Sequence, residues 1–252
     1  MLSKPTIKYI QSLQHKKFRD EYNCFVAEGP KVVSELLLSA AFSCKAIYGL
    51  KEWADNIDAE TKKAASSKFE IIDEVALSRI AAYTTPNQVV AVFEKKAPQS
   101  EFELKQKITL VLDGIQDPGN LGTIIRTADW FGIQHIVCST HTADLYNSKV
   151  VQSTMASLGR VNLIYTDIEK WLKDHQSVNI MATTLEGKPV HKLEKRSEGI
   201  VIMGNEANGI SDAVLKLANE KITIQGYGEA ESLNAAVATG IVLFSLKEIS
   251  KI

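Results

Sequence analysis

At 252 residues and a formal net charge of −1, the chain has room for two packed domains. It lacks the basic excess of a protein that coats nucleic acid without selectivity. Hydrophobic residues are 45% and charged residues 23%, the balance of a soluble globular protein. Cys24, Cys44 and Cys138 are odd in number and show no CxxC spacing, which argues against a disulfide framework or a zinc site. Reduced thiols of this kind, with no signal-peptide core and no apolar run near the ~18 residues of a membrane span, predict a soluble, cytoplasmic protein with no membrane association.

Residues 1–19 carry Lys4, Lys8, Lys16, Lys17 and Arg19 and no acidic residue. By itself such a run reads as a solvated chain end. Gly29 and Pro30 precede Val32, Val33, Leu36 and Leu37, a helical spacing with proline at a permitted first-turn position. Segments 46–50, 69–72 and 89–93 read as short strands. Segment 94–101, EKKAPQSE, is polar and contains Pro98, so the domain boundary is placed there. The expected division is a domain over 1–96, a linker over 97–106 and a domain over 107–252.

The second part alternates strands and helices. Segments 108–112, 135–138, 162–165, 179–182, 200–203 and 222–224 read as strands. Helices are predicted over 120–131, 148–158, 211–218 and 232–249. Alternation of this kind predicts a parallel sheet covered on both faces. Its ligands would bind in loops beyond the carboxyl ends of the strands.

Three of those loops carry chemistry. The first follows strand 108–112 and holds Gly119, Gly122, Asn120 and Arg126. Asn120 is placed to cap a helix. Arg126 would suit a phosphate in bidentate fashion or sit in a surface ion pair. The second follows strand 200–203: Gly204, Asn205, Glu206, Ala207, Asn208, Gly209. It reads as an ordinary tight turn except for Glu206, which could bond backbone amides or orient an arginine. The third follows strand 222–224 and runs through Gly226, Tyr227 and Gly228 to Ser232, Leu233 and Asn234. It is neither a dinucleotide fingerprint, because Glu231 takes the third glycine's place, nor a P-loop. Ser232 is read there as the helix cap, ahead of a small-residue face of Ala235, Ala236, Ala238 and Gly240. His15, His135, His141, His175 and His191 are scattered without metal-ligand spacing, so no metal is expected.

Taken in order, the three loops resemble the three signature motifs of the SpoU (TrmH) family of RNA 2′-O-methyltransferases. The Asn…Arg pair appears as Asn120 and Arg126, the Gly-x-Glu-x-x-Gly loop as 204–209, and the Ser-Leu-Asn helix start as 232–234. The resemblance covers roughly 107–250. The N-terminal part is similar to the family's L30e-like substrate-binding domain, on segments 25–31 and 84–92. One departure is Ile222-Thr223-Ile224, where the family usually has Ile-Pro-Met.

The resemblance implies an α/β fold: a C-terminal SPOUT-type domain with a parallel sheet and a trefoil knot, plus a small N-terminal α/β L30e-like domain. It implies S-adenosylmethionine as cofactor, held by Thr184, Gly204, Asn205, Glu206, Gly209, Ile224 and Leu233. Arg126 would activate the ribose hydroxyl, with Asn120, Glu206, Ser232 and Asn234 orienting it and the substrate. Arginine is effectively always protonated, so stabilising a developing alkoxide suits it better than acting as a base. The resemblance also turns Lys4, Lys8, Lys16, Lys17 and Arg19 toward RNA contact, implies a homodimer, and favours ribosomal over transfer RNA. The competing readings are an RNA-binding module without catalysis and a nucleotide- or NAD-dependent enzyme on a doubly wound sheet.

Overall fold

The computed structural model describes residues 2–83, 87–97 and 102–247. Three expectations lie partly outside these residues: the start of the 84–92 match, the linker around Pro98, and the end of the last helix near Ile249. The chain divides into two compact units, Met1–Ala97 with Asp144–Arg160, and Pro98–Ala143 with Val161–Ile252.

The first unit opens with α1 (Lys4–Ser12) and α2 (Lys16–Tyr22). The Ser3 hydroxyl caps α1 by accepting from the Thr6 amide. These helices replace the expected solvated end. Leu2, Ile10 and Leu13 belong to the unit's core with Val26, Leu77, Ile80 and Val92, and that burial orders the segment. The chain continues through β1 (Cys24–Glu28), α3 (Pro30–Leu38), β2 (Cys44–Gly49), α4 (Lys51–Asn56) and α5 (Ala59–Ala65). It closes with β3 (Phe69–Ile71), α6 (Glu74–Ile80) and β4 (Val89–Glu94). The sheet order is β1-β4-β2-β3. Strand β1 was not expected. It is buried at all five positions, so it shows none of the alternation that marks a half-exposed strand.

The second unit begins with β5 (Ile108–Asp113), α7 (Pro118–Trp130) and β6 (His135–Ser139). The chain then returns to the first unit for α8 (Ser148–Ser153) and a 3-10 turn at Ser157–Gly159. This corrects the reading of 148–158 as a helix of the second part. Tyr146 packs near Phe25 and Phe42, with ring centroids 4.8 and 6.5 Å away. The Lys96 ammonium donates to the carbonyls of Leu158 and Gly159. These are tertiary contacts that local pattern does not encode.

Back in the second unit come β7 (Asn162–Thr166), α9 (Ile168–Asp174), β8 (Ile180–Pro189), β9 (Gly199–Gly204), α10 (Asp212–Leu215), β10 (Glu220–Thr223) and α11 (Ala235–Leu246). The six expected strands form one sheet of order β10-β8-β9-β5-β6-β7, and every neighbouring pair is parallel. Central strands β5 and β9 are buried along nearly their whole length, as expected for a parallel sheet covered on both faces. From β5 the chain builds outward through β6 and β7. Strands β8, β9 and β10 lie on the other side. The strand order therefore reverses between β5 and β9, and the crevice at their carboxyl ends is where such sheets bind ligands.

Candidate active site

The first loop leaves β5 at Asp113. The Asp113 carboxylate accepts from both the amide and the hydroxyl of Ser211, each at 2.8 Å, which ties β5 to the start of α10. Gly114 follows with φ +72°, a left-handed conformation that glycine adopts without strain. The Asp117 carboxylate caps α7 by accepting from the Asn120 amide at 2.8 Å, with Pro118 in the first turn. Asn120 is therefore not the cap, and its side chain is left for longer-range contacts.

The second loop leaves β9 at Gly204. Asn205 and Gly209 exchange two backbone hydrogen bonds of 2.9 Å. The Asn205 side chain accepts from the amides of Ala207 and Asn208 and donates to the Gly114 carbonyl at 2.7 Å. Gly204 is fixed by sterics, because a Cβ there would lie 2.5 Å from the Ile210 amide nitrogen and closer still to the Gly209 carbonyl carbon.

The third loop leaves β10 and reaches α11. Asn234, not Ser232, caps that helix, its side-chain oxygen accepting from the amides of Ala236 and Val237. The Asn234 amide group donates to the Asn120 side-chain oxygen at 2.8 Å. Asn120 in turn donates to the Glu206 carboxylate at 2.6 Å. One relay, Asn234 to Asn120 to Glu206, therefore joins all three loops. Each amide uses both its donor and its acceptor in this chain, so its direction is set.

Strand β8 completes the site. Its register against β10 jumps from Ala182 opposite Lys221 to Lys188 opposite Ile222, so residues 183–187 turn out of the ladder. The Thr183 hydroxyl holds the turn by donating to the Ile202 carbonyl, and the Thr223 hydroxyl donates to the Leu185 carbonyl. Gly187 lets the turn close on β10, where a Cβ would stand 2.6 Å from the Lys221 carbonyl oxygen.

The β8 turn, the second and third loops and α11 enclose a cavity of about 890 Å³. Thr184, Gly204, Asn205, Glu206, Gly209, Ile224, Ser232 and Leu233 all line it. Thr183, Leu185, Ala238 and Val242 line it too and were not foreseen. Asp113 and Asp117 were also missed, although an acidic residue at a strand end and another just before a proline-led helix are visible cues. The cavity's charged lining residues are Glu206 and Glu231, and among the described residues no Lys or Arg lines it. The two carboxylates suit a neutral or cationic ligand with apolar surface.

Arg126 stands apart from the relay. It lies six residues beyond Asn120 on α7, roughly 9 Å along the axis and on a different face. It is exposed, with no hydrogen bond or ion pair among the described residues. On the first unit, Lys4, Lys8, Lys16 and Lys17 are exposed, and Lys16 pairs with Asp20 at 2.6 Å. Arg19 does not belong with them. It is 3% exposed and bonds the Leu13 and Gln14 carbonyls and the Asp144 carboxylate. Among the described residues no group of three or more His, Cys, Asp or Glu side chains is placed to hold a metal, and no helix is long and apolar enough to cross a membrane.

A parallel sheet with three linked loops and a cavity at its strand-order reversal defines a class: an α/β protein with a ligand site beyond the carboxyl ends of its strands. The match to the SpoU rRNA methylase family model over residues 107–244 makes the family definite, and the chain belongs to it. Residues 4–91 match an MRM3-like substrate-binding domain. The chain is 32% identical over 244 residues to the Bacillus subtilis 23S rRNA (guanosine(2553)-2′-O)-methyltransferase RlmP, covering 96% of this chain and 95% of that one. It superposes on an AdoMet-bound rRNA methyltransferase from Sinorhizobium meliloti with a TM-score of 0.83 at 31% identity, covering 97% and 95% of the two chains. A TrmH-family structure from Porphyromonas gingivalis superposes with a TM-score of 0.86 at 34% identity, covering 98% of each chain.

Proposed function

We propose that this protein transfers the methyl group of S-adenosylmethionine to a ribose 2′-hydroxyl of ribosomal RNA. The observation that carries the reading is the cavity: the second and third family loops line it, the first is bonded to its wall through Asn120 and Glu206, and no cation among the described residues lines it. S-adenosylmethionine is a net cation at neutral pH and has an apolar adenine. Leu185, Ile222, Ile224, Leu233 and Val242 offer apolar walls, and Glu206 and Glu231 supply compensating charge. Gly204 and the turn at 204–209 bring backbone groups to the ligand. The bound cofactor supplies an electrophilic methyl group on a sulfonium.

The chain's own work is alignment and charge. The Asn234–Asn120–Glu206 relay holds the loops in one arrangement before substrate arrives, which lowers the entropic cost of lining up hydroxyl and methyl carbon. Arg126 is a permanent cation with no partner among the described residues. It binds an RNA phosphate and stabilises the alkoxide as the hydroxyl gives up its proton to that phosphate or to water. Ser232 lies on the cavity wall and contacts substrate or cofactor.

The same reading includes a homodimer. Helix α11 is apolar on all sides, a pattern that belongs to a buried helix. Yet Val237 is 53% and Phe244 62% exposed, and Trp130 on the adjoining α7 is 85% exposed. A second copy covers this face. The reading also includes a C-terminal trefoil knot, which the family match over residues 107–244 supports. Lys4, Lys8, Lys16 and Lys17 contact RNA phosphates, and the protein acts in the cytoplasm, in keeping with its three buried free cysteines. Ribosomal rather than transfer RNA is the substrate, because a relative matching nearly the whole chain acts on 23S rRNA by name.

The test is methyl transfer from labelled cofactor to rRNA lacking 2′-O-methylation, with the product mapped. Arg126→Ala is expected to lower turnover roughly 100-fold or more while calorimetric cofactor affinity stays within a few-fold. Unchanged turnover would remove Arg126 from the chemistry. Absence of cofactor binding by the wild-type protein would restore the non-catalytic reading.

A further inference from the structure

We infer that Tyr227 is a stacking platform for an unpaired RNA base, and so a substrate-positioning residue of the methyl-transfer site. The inference rests on the methyltransferase reading above and adds how the target nucleotide is held.

Tyr227 lies on the wall of the cavity and is 89% exposed. Among the described residues its ring forms no aromatic pair and its phenol makes no hydrogen bond. Gly226 and Gly228 flank it, and a Cβ on either would meet nothing within 4 Å. The tip of this loop therefore stands clear of the protein. Its ends do not: β10 is paired to β8 on one side, and Asn234 is bonded to Asn120 on the other. A loop anchored at both ends presents an aromatic face at the mouth of the cofactor cavity. Leu185, also lining the cavity and 80% exposed, adds a second apolar surface there.

The chemistry of the loop selects the kind of contact. Residues 225–234 contain Glu229 and Glu231 and no Lys or Arg, so the loop repels phosphate. It can meet the RNA through an uncharged base. A ribose hydroxyl reaches a methyl group inside a cavity only if its nucleotide leaves the helical stack. A splayed base then needs a new surface, and aromatic side chains are the usual one in single-stranded RNA recognition.

The experiment compares wild type, Tyr227→Ala, Tyr227→Leu, Tyr227→Phe and Tyr227→Trp in steady-state methyl transfer to rRNA. Cofactor affinity is measured by calorimetry and oligomeric size by sedimentation. Tyr227→Ala and Tyr227→Leu are expected to raise KM for RNA roughly 5- to 100-fold, the loss of one base–aromatic stack. Tyr227→Phe and Tyr227→Trp are expected to stay within about threefold of wild type, and cofactor affinity and size to stay constant throughout. An unchanged KM in Tyr227→Leu overturns the inference. So does a parallel loss of cofactor affinity, which makes Tyr227 a cofactor wall, or a change in oligomeric size, which makes it an interface residue. A wild-type protein that binds cofactor yet methylates no rRNA would overturn the functional reading and this inference with it. Wild-type activity with an indifferent Tyr227 series would overturn the inference alone.

Discussion

Asn120 and Asn234 show how much a single amide decides. Both are legible in the sequence as helix-start residues, yet only Asn234 caps a helix. The cap of α7 is Asp117, three residues earlier, and this frees Asn120 to bridge Asn234 and Glu206. Motif spacing places all three residues near the site. Which of them bond depends on side-chain geometry that spacing does not carry. Gly204 is a sharper case. In sequence it is one of two glycines framing a turn, and either could serve flexibility alone. The tertiary reason is crowding, since the chain folds back within 2.5 Å of where a Cβ would stand. Gly204→Ala is therefore expected to shift the 204–209 turn and weaken cofactor binding at least tenfold by calorimetry, on the order of 1.4 kcal/mol. An unchanged affinity in Gly204→Ala would show that crowding there does not shape the pocket.

Among the elements, α11 is predicted from sequence to start at Ser232 and to carry a small-residue face for close packing. It begins at Ala235, and the small face is used: Gly240 lies against α7, where a Cβ would be 3.7 Å from the Thr127 methyl. The opposite side remains apolar. Leaving Phe244 and Trp130 in water forgoes roughly 1.5–3 kcal/mol per fully buried side chain, so a covering surface is strongly favoured. On the proposed homodimer, Phe244→Asp is expected to give a monomer by sedimentation while its thermal unfolding stays cooperative. A variant that sediments as wild type would place the dimer contact elsewhere. Strand β8 teaches the opposite lesson. Segment 179–182 is legible as a strand, but the out-turn at 183–187 is not, because its hydrogen bonds are made to Ile202 and Thr223, distant in sequence.

At the scale of the whole molecule, the basic N-terminal stretch is part of a folded unit. Deleting it would remove Leu2, Ile10 and Leu13 from the core and test stability instead of RNA binding. Replacing Lys4, Lys8, Lys16 and Lys17 together by Ala leaves that core intact. The variant should bind RNA more weakly and show a shallower fall of affinity with salt, by ~0.7 in log–log slope for each phosphate of a single strand that is no longer neutralised. An unchanged slope in filter-binding titrations would show that these lysines are only solvated. By itself the sequence determined the alternating α/β order, the six parallel strands and the three loops at their carboxyl ends. Hydrophobic period and turn chemistry are local properties, and the motif residues are fixed in order along the chain. Tertiary structure decided the rest: the return of Asp144–Arg160 to the first unit, the burial of Arg19, the relay through Asn120, and the cavity's lining without cations among the described residues. Each of these depends on which distant side chains share one small volume, and no window of neighbouring residues records that.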